Sequence, residues 1–167
     1  GDQLTHAVGA GAQGVALDGV QLATFATAPY VFAAGTTLAP GERIVVPKNP
    51  AVFQAYYGAG VRIAASGYGT ANLSNGGETI DLIAANGAII ESIAYDDVAP
   101  WPAAPDGGGF SLEIVDAQSP GDAATNWRAS AMFGGSPGWD GVAGSPGDYV
   151  RDQAVDGEAL SPVLLRL

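Results

Sequence analysis

Residues 79–95 read TIDLIAANGAIIESIAY, two apolar runs in which β-branched side chains recur, separated by Ala85-Asn86-Gly87. Alternation on both sides of such a break is the pattern of paired antiparallel strands, and Asn-Gly favours the positive φ of a primed hairpin turn. The reading is a hairpin of Thr79–Ala84 with Ala88–Tyr95. Outward from it the same short, β-branched texture recurs, interrupted by turn residues: Val15–Leu22 (VALDGVQL), Tyr30–Phe32, Arg43–Pro47 (RIVVP) and Phe110–Val115 (FSLEIV). This spacing is that of a sandwich or barrel. One segment departs from it. Pro50–Tyr57 (PAVFQAYY) opens on proline, spaces Phe53, Tyr56 and Tyr57 at helical intervals and stops at Gly58, so one short helix is predicted in a crossover.

The chain has 167 residues, 47% of them hydrophobic and 14% charged. That is enough apolar material for one domain with a core, and far from a disordered composition. Seventeen acidic residues face six basic ones, for a formal charge of −11. The basic residues Arg43, Lys48, Arg62, Arg128, Arg151 and Arg166 are scattered singly, so a phosphate backbone would be repelled and nucleic acid is not an expected partner. Cysteine is absent, which removes disulfides, thiolate zinc sites and thiol nucleophiles. No window approaches a membrane-spanning length, and no basic-then-apolar leader is present. The chain opens on Gly1 without a methionine and is read as a mature or excised part of a longer protein, with a composition common among secreted bacterial proteins.

Two further stretches shape the loops. In ANLSNGGET (71–79), Asn72, Asn75 and Gly76-Gly77 turn the backbone sharply while Leu73 plugs inward. In WPAAPDGGGFSL (101–112), prolines stiffen the loop, Trp101 offers a large apolar face and Gly107–Gly109 swing the chain back into a strand. With TTLAPGERIVV, NPAVFQAYYG, the Tyr-Asp after the hairpin, the Asn-Trp pair at 126–127 and GGSPG at 134–138, these blocks resemble the lamin-tail domain. That family is an immunoglobulin-like sandwich found at the end of nuclear lamins and in many bacterial secreted proteins. The resemblance spans about residues 4–138 and implies an all-β, immunoglobulin-like β-sandwich of the lamin-tail type with one short helix in a crossover. It carries Leu73, Asn75, Gly77, Glu78, Trp101, Pro102, Ser111, Leu112, Trp127, Gly135, Ser136, Pro137 and Gly138 over as architectural positions.

Departures gather at the N terminus. Residues 16–22 (ALDGVQL) stand where the family has Asp-Leu-Ser-Gly-Trp-x-Leu, and Gln3–Gly9 (QLTHAVG) stand where it has a Glu-Trp-Ile-Glu-Leu-Tyr-Asn strand. A sandwich lacking its first strand has an open edge to cover. Residues 139–167 read as a Gly/Pro-rich linker, WDGVAGSPGD, followed by a tail whose end, Val163–Leu167, is apolar. This run is read three ways: the start of a following domain, an added strand in cis, or a strand inserted into a neighbour through Val163, Leu164, Leu165 and Leu167.

Candidate chemistry is sparse. His6 lacks a partner motif, and Ser74 and Ser111 stand outside any Gly-x-Ser-x-Gly elbow, so no enzyme is expected. Asp96, Asp97, Asp106 and Asp122 are the candidate ligands for calcium, whose hard-oxygen preference they suit, although no EF-hand spacing is present and a solvated loop cluster is the simpler reading; no other cofactor is expected. Tyr56, Tyr57, Tyr68 and Trp139 are the candidate binding aromatics, since amphipathic rings lie flat against sugar faces, whereas Trp101 and Trp127 are read as core. Two functions follow. One is a non-catalytic binding, adhesion or accessory module of a bacterial secreted or cell-surface protein, with a protein partner, a neighbouring domain or a glycan as ligand, as the resemblance implies. The other is a structural subunit that self-assembles through its open edge into an extracellular fibre or layer.

Overall fold

The computed structural model describes residues 14–23, 28–138 and 163–165. Its strands are β1 (Val15–Ala16), β2 (Gln21–Ala23), β3 (Tyr30–Val31), β4 (Thr37–Leu38), β5 (Ile44–Val46), β6 (Glu78–Ile83), β7 (Ile89–Tyr95), β8 (Leu112–Ile114), β9 (Trp127–Ala129) and β10 (Val163–Leu165), with helix α1 (Pro50–Tyr57) between β5 and β6. All the strand pairs are antiparallel. The largest sheet runs β3-β2-β6-β7, and β1-β4, β10-β5 and β8-β9 form two-stranded sheets. The described chain is therefore all-β in character, with one short α-helix and a 3-10 turn at Ala124–Asn126 just before β9.

The hairpin forms as read, but its turn is of another kind. Gly87 N–H donates to Ala84 C=O, and Ala84 N–H to Ala88 C=O, both at 2.8 Å. Only this arrangement leaves three residues in the loop, with Gly87 at φ 87° as the left-handed residue of a bulge and Asn86 free to accept from Ala88 N–H at 3.0 Å. A two-residue Asn-Gly turn would instead place both central residues at positive φ. A second irregularity, between Leu82 and Ile83, shifts the β6-β7 register, and upstream of it Ile80 faces Ile93 and Leu82 faces Glu91.

Val15–Leu22, predicted as one strand, is broken. Val20 N–H donates back to Leu17 C=O, Gly19 takes φ 70°, and Asp18 Oδ1 accepts from Gly35 N–H. Asp-Gly inside an apolar run is a turn signal, and here it wins over the strand propensity of its neighbours. The break lets β1 pair with β4 while β2 crosses to β3 and β6. Leu17, Leu22, Leu38, Ile80, Leu82, Phe32 and Tyr30 thereby meet in one core, with Leu73 packed against it. Two strands lacked a sequence signal. Thr37–Leu38 is too short to show a period, and Trp127–Ala129 contains an arginine and takes its form from pairing with β8.

The helix follows the expected residues. Asn49 caps it, accepting from Ala51 and Val52 N–H, and Gly58 closes it at φ 82° with its N–H on Gln54 C=O. Phe53 and Tyr57 form its buried face and pack with Val45 in a second, smaller core. Of the three courses read for the terminal run, the structure has β10 paired in cis with β5, Val163 opposite Val46, Leu164 opposite Val45 and Leu165 opposite Ile44. Leu167 lies outside the described residues. So does His6, with the rest of the N-terminal segment in which the missing first strand was sought.

Candidate functional site

The segment Gly134–Gly138 is held by side chains of α1 and β8. Tyr57 Oη, at the end of α1, donates to Gly134 C=O at 2.5 Å. Ser136 Oγ donates to Glu113 Oε1 at 2.6 Å inside the protein, where Glu113 is only 4% exposed. Glu113 Oε2 lies 3.5 Å from Arg128 Nε, an ion pair too long to count as a hydrogen bond. Ser111 and Ser130 hold β8 to β9 just beyond their paired residues: Ser130 N–H donates to Ser111 C=O and Ser111 N–H to Ser130 Oγ. Gly135 lies so close to Ser111 that any Cβ there would collide with Ser111 Oγ, and Gly138 rests on Val61. Ser111, Leu112, Gly135, Ser136, Pro137 and Gly138 thus belong to one closing unit. Ser136 has the Gly-x-Ser-x-Gly spacing of a nucleophile elbow, but the elbow needs an exposed serine between strand and helix. This one is buried, and its proton is committed to Glu113.

A second cluster surrounds the far end of the hairpin. Tyr95 Oη lies 2.8 Å from both Glu78 Oε1 and Ser74 C=O and donates its proton to that pair of acceptors, while Ser74 N–H also donates to Glu78. Burial, then the hydrogen bond and charge of Glu78, hold the Tyr95 phenol far above its ordinary value. Tyr68 is raised by burial first and by the Glu78 charge second, and its ring packs on the main core. Gly77, at φ 87°, passes so close to Tyr95 that a Cβ would sit 2.6 Å from the Tyr95 carbonyl oxygen. Asn75 is exposed in the turn between Leu73 and Gly77. Trp101 is buried with its ring centroid 6.1 Å from that of Trp127, whose Nε1–H donates to Gly121 C=O, and Pro102 follows half-buried.

Of the four candidate aspartates, Asp96, Asp97 and Asp106 act on one another. Asp96 Oδ1 accepts from Asp97 N–H and Val98 N–H, which lowers its pKa, and the Asp96 carboxylate in turn raises that of Asp97, with Asp106 adding a smaller repulsion. Asp122 is exposed on the loop that places Gly121 against Glu91. Among the described residues no group of three or more His, Cys, Asp or Glu is arranged to hold a metal ion. Asp96 acts as a turn former.

The candidate aromatics separate as well. Tyr57 is 8% exposed with its hydroxyl occupied, so it offers no free ring face, and Tyr68 is half-buried against the main core. Trp139 lies outside the described residues. Tyr56 remains half-buried at the surface, edge-on to Tyr57. Beside it is a pair that the sequence reading passed over: Phe110 and Phe133 meet edge-to-face at 5.9 Å, with Phe133 48% exposed. Gly134 N–H donates to Gly109 C=O at 2.7 Å and joins their two turns. The Phe133 ring fills the space where a Cβ on Gly109 would project, while a Cβ on Gly134 would lie 3.2 Å from Tyr56 Oη. Val52, four residues before Tyr56 on α1 and 47% exposed, extends the same helix face. Val52, Tyr56, Phe133 and Phe110 make a surface aromatic patch whose signal was a phenylalanine beside glycines in both GGGF (107–110) and MFGG (132–135).

The chain matches no family model, no curated protein and no solved structure.

Proposed function

We propose that this chain is a non-catalytic binding module of a secreted or cell-surface protein, built as an immunoglobulin-like sandwich of the lamin-tail type. The sandwich reading is supported by how the quoted motifs lie in space: Leu73 with the core, Glu78 with Tyr95, Trp101 with Trp127, and Ser136 with Glu113 across the closing unit. The observation that carries the binding reading is the patch of Val52, Tyr56, Phe110 and Phe133. Its rings stand on a capped helix and on two turns that are hydrogen-bonded to each other, so little rotamer entropy is lost when a ligand covers them. Phe133, 48% exposed in its edge-to-face pair with Phe110, is open enough to stack on a sugar ring or on an apolar side chain of a neighbouring domain.

The test uses the full chain with cellohexaose, chitohexaose and purified peptidoglycan as probes, followed by NMR for the soluble oligosaccharides and by co-sedimentation for peptidoglycan. Retention that Phe133→Ala and Tyr56→Ala each reduce by about tenfold or more, about 1.4 kcal/mol, in variants whose circular dichroism shows the fold intact, supports the reading. Retention unaffected by both substitutions, or absent for every probe, refutes glycan binding by the patch.

A further inference from the structure

The best-placed interaction surface is the edge of β5. Val45 N–H donates to Arg62 C=O and Val45 C=O accepts from Ala64 N–H, so this residue directs both backbone groups toward residues 62–64. Backbone polarity alternates along a strand, and Ile44 and Val46 therefore turn their N–H and C=O groups the other way, toward β10. All three β5 side chains are buried, and Val45 is 0% exposed. An edge this apolar, with four main-chain groups to satisfy, needs an extended strand beside it.

The strand that fills it is β10, joined to the rest of the domain through residues 139–162. About two dozen residues (139–162) separate Gly138 from Val163, a contour of up to about 80 Å. Gly138 itself rests on Val61, beside the residues that bridge to Val45. The chain available is much longer than the way back to its own β5.

We propose that β5 is a strand-acceptor edge for a second copy of this chain, the Val163–Leu165 strand of one copy pairing with Ile44–Val46 of the next in the register seen within one chain. Cis and trans pairing make the same contacts, so only chain entropy and intermolecular repulsion separate them. A tethered strand competes at an effective concentration on the order of millimolar. Exchange therefore rises with protein concentration, and salt promotes it by screening the repulsion between two copies that each carry a charge of −11.

Because the chain has no cysteine, the exchange can be trapped. Val45 and Leu164 are a non-hydrogen-bonded pair, with the Cα separation of about 4.5 Å that a disulfide spans. Full-length Val45→Cys is mixed with full-length Leu164→Cys under mild oxidation and resolved without reductant. The expected result is a heterodimer band that grows at least severalfold between 10 µM and 1 mM protein (about these values bracket the crossover) and again with added salt, while Val45→Cys mixed with Val163→Cys, one residue out of register, gives none. The double variant Val45→Cys/Leu164→Cys, oxidised when dilute, should close within one chain. Closure there with no heterodimer in the mixture overturns the exchange, and failure to close overturns the strand pairing on which it rests.

Discussion

Ser136→Ala removes one oxygen from the interior and leaves Glu113 Oε1 without its only described donor, since the second carboxylate oxygen has just the 3.5 Å ion pair with Arg128. Hydrogen bonds to a charged group contribute about 1.5–3 kcal/mol, and a side chain as enclosed as Glu113 has little water to substitute for the lost hydroxyl. The expected loss is about 2 kcal/mol, which in a domain of this size lowers the melting temperature by about 4–8 °C. Urea denaturation of the wild type, Ser136→Ala, Glu113→Gln and the double variant gives the coupling energy directly. A coupling of at least about 1 kcal/mol is expected, because Glu113→Gln already weakens the bond that Ser136→Ala deletes. Full additivity, or a Ser136→Ala loss below about 0.5 kcal/mol, the range of ordinary surface substitutions, would refute the lock between Glu113 and the closing unit.

Gly77 and Gly87 have the same φ of 87°, but Gly77 faces the Tyr95 carbonyl whereas Gly87 faces open space. Gly77→Ala should therefore cost clearly more than the roughly 1–2 kcal/mol that left-handed alanine costs at Gly87, as read from urea midpoints. Asn49→Ala removes the acceptor of two helix N–H groups and should cost about 1 kcal/mol, with the loss followed by denaturation. Alkali should destabilise the fold through Tyr95. Its folded pKa is raised above the ordinary 10.0, so the folded state holds the phenolic proton more tightly. That stabilisation is fully present below pH 10 and is lost as pH rises past it. The check is a chemical-denaturation series across this range, in which Tyr95→Phe should flatten the decline.

The hairpin and the helix were legible because each is decided locally. Asn49, Pro50 and Gly58 mark the ends of α1 by their own backbone preferences, and Ala85–Gly87 can only reverse the chain. What the sequence concealed depends on partners. Trp127–Ala129 is a strand because Leu112–Ile114 lies beside it, and Tyr57 is unavailable as a binding ring because Gly134, distant in sequence, takes its hydroxyl. Phe133 shows the converse: the Gly107–Gly109 turn, the Gly134-Gly135 turn and the neighbouring Phe110 hold an apolar ring at the surface. The candidate site was readable as to residue class, aromatic, and only at Tyr56 as to position.

The end of the chain illustrates the same physics at its limit. Val163–Leu165 is apolar and β-branched at its first position, features that suit any open edge equally well. Which edge it takes is decided by β5, whose Val45 spends its backbone groups on residues 62–64 and so leaves the ladder of Ile44 and Val46 to a single further strand. Three pairs of residues form that ladder, few enough that the strand's own tether sets the balance between copies. Shortening the tether should then favour the strand within its own chain until the span becomes too short, and should reduce trapping between copies before it reduces stability. If the two fall together, the strand is fixed in its own domain and the aromatic patch is left as the surface through which this protein meets others.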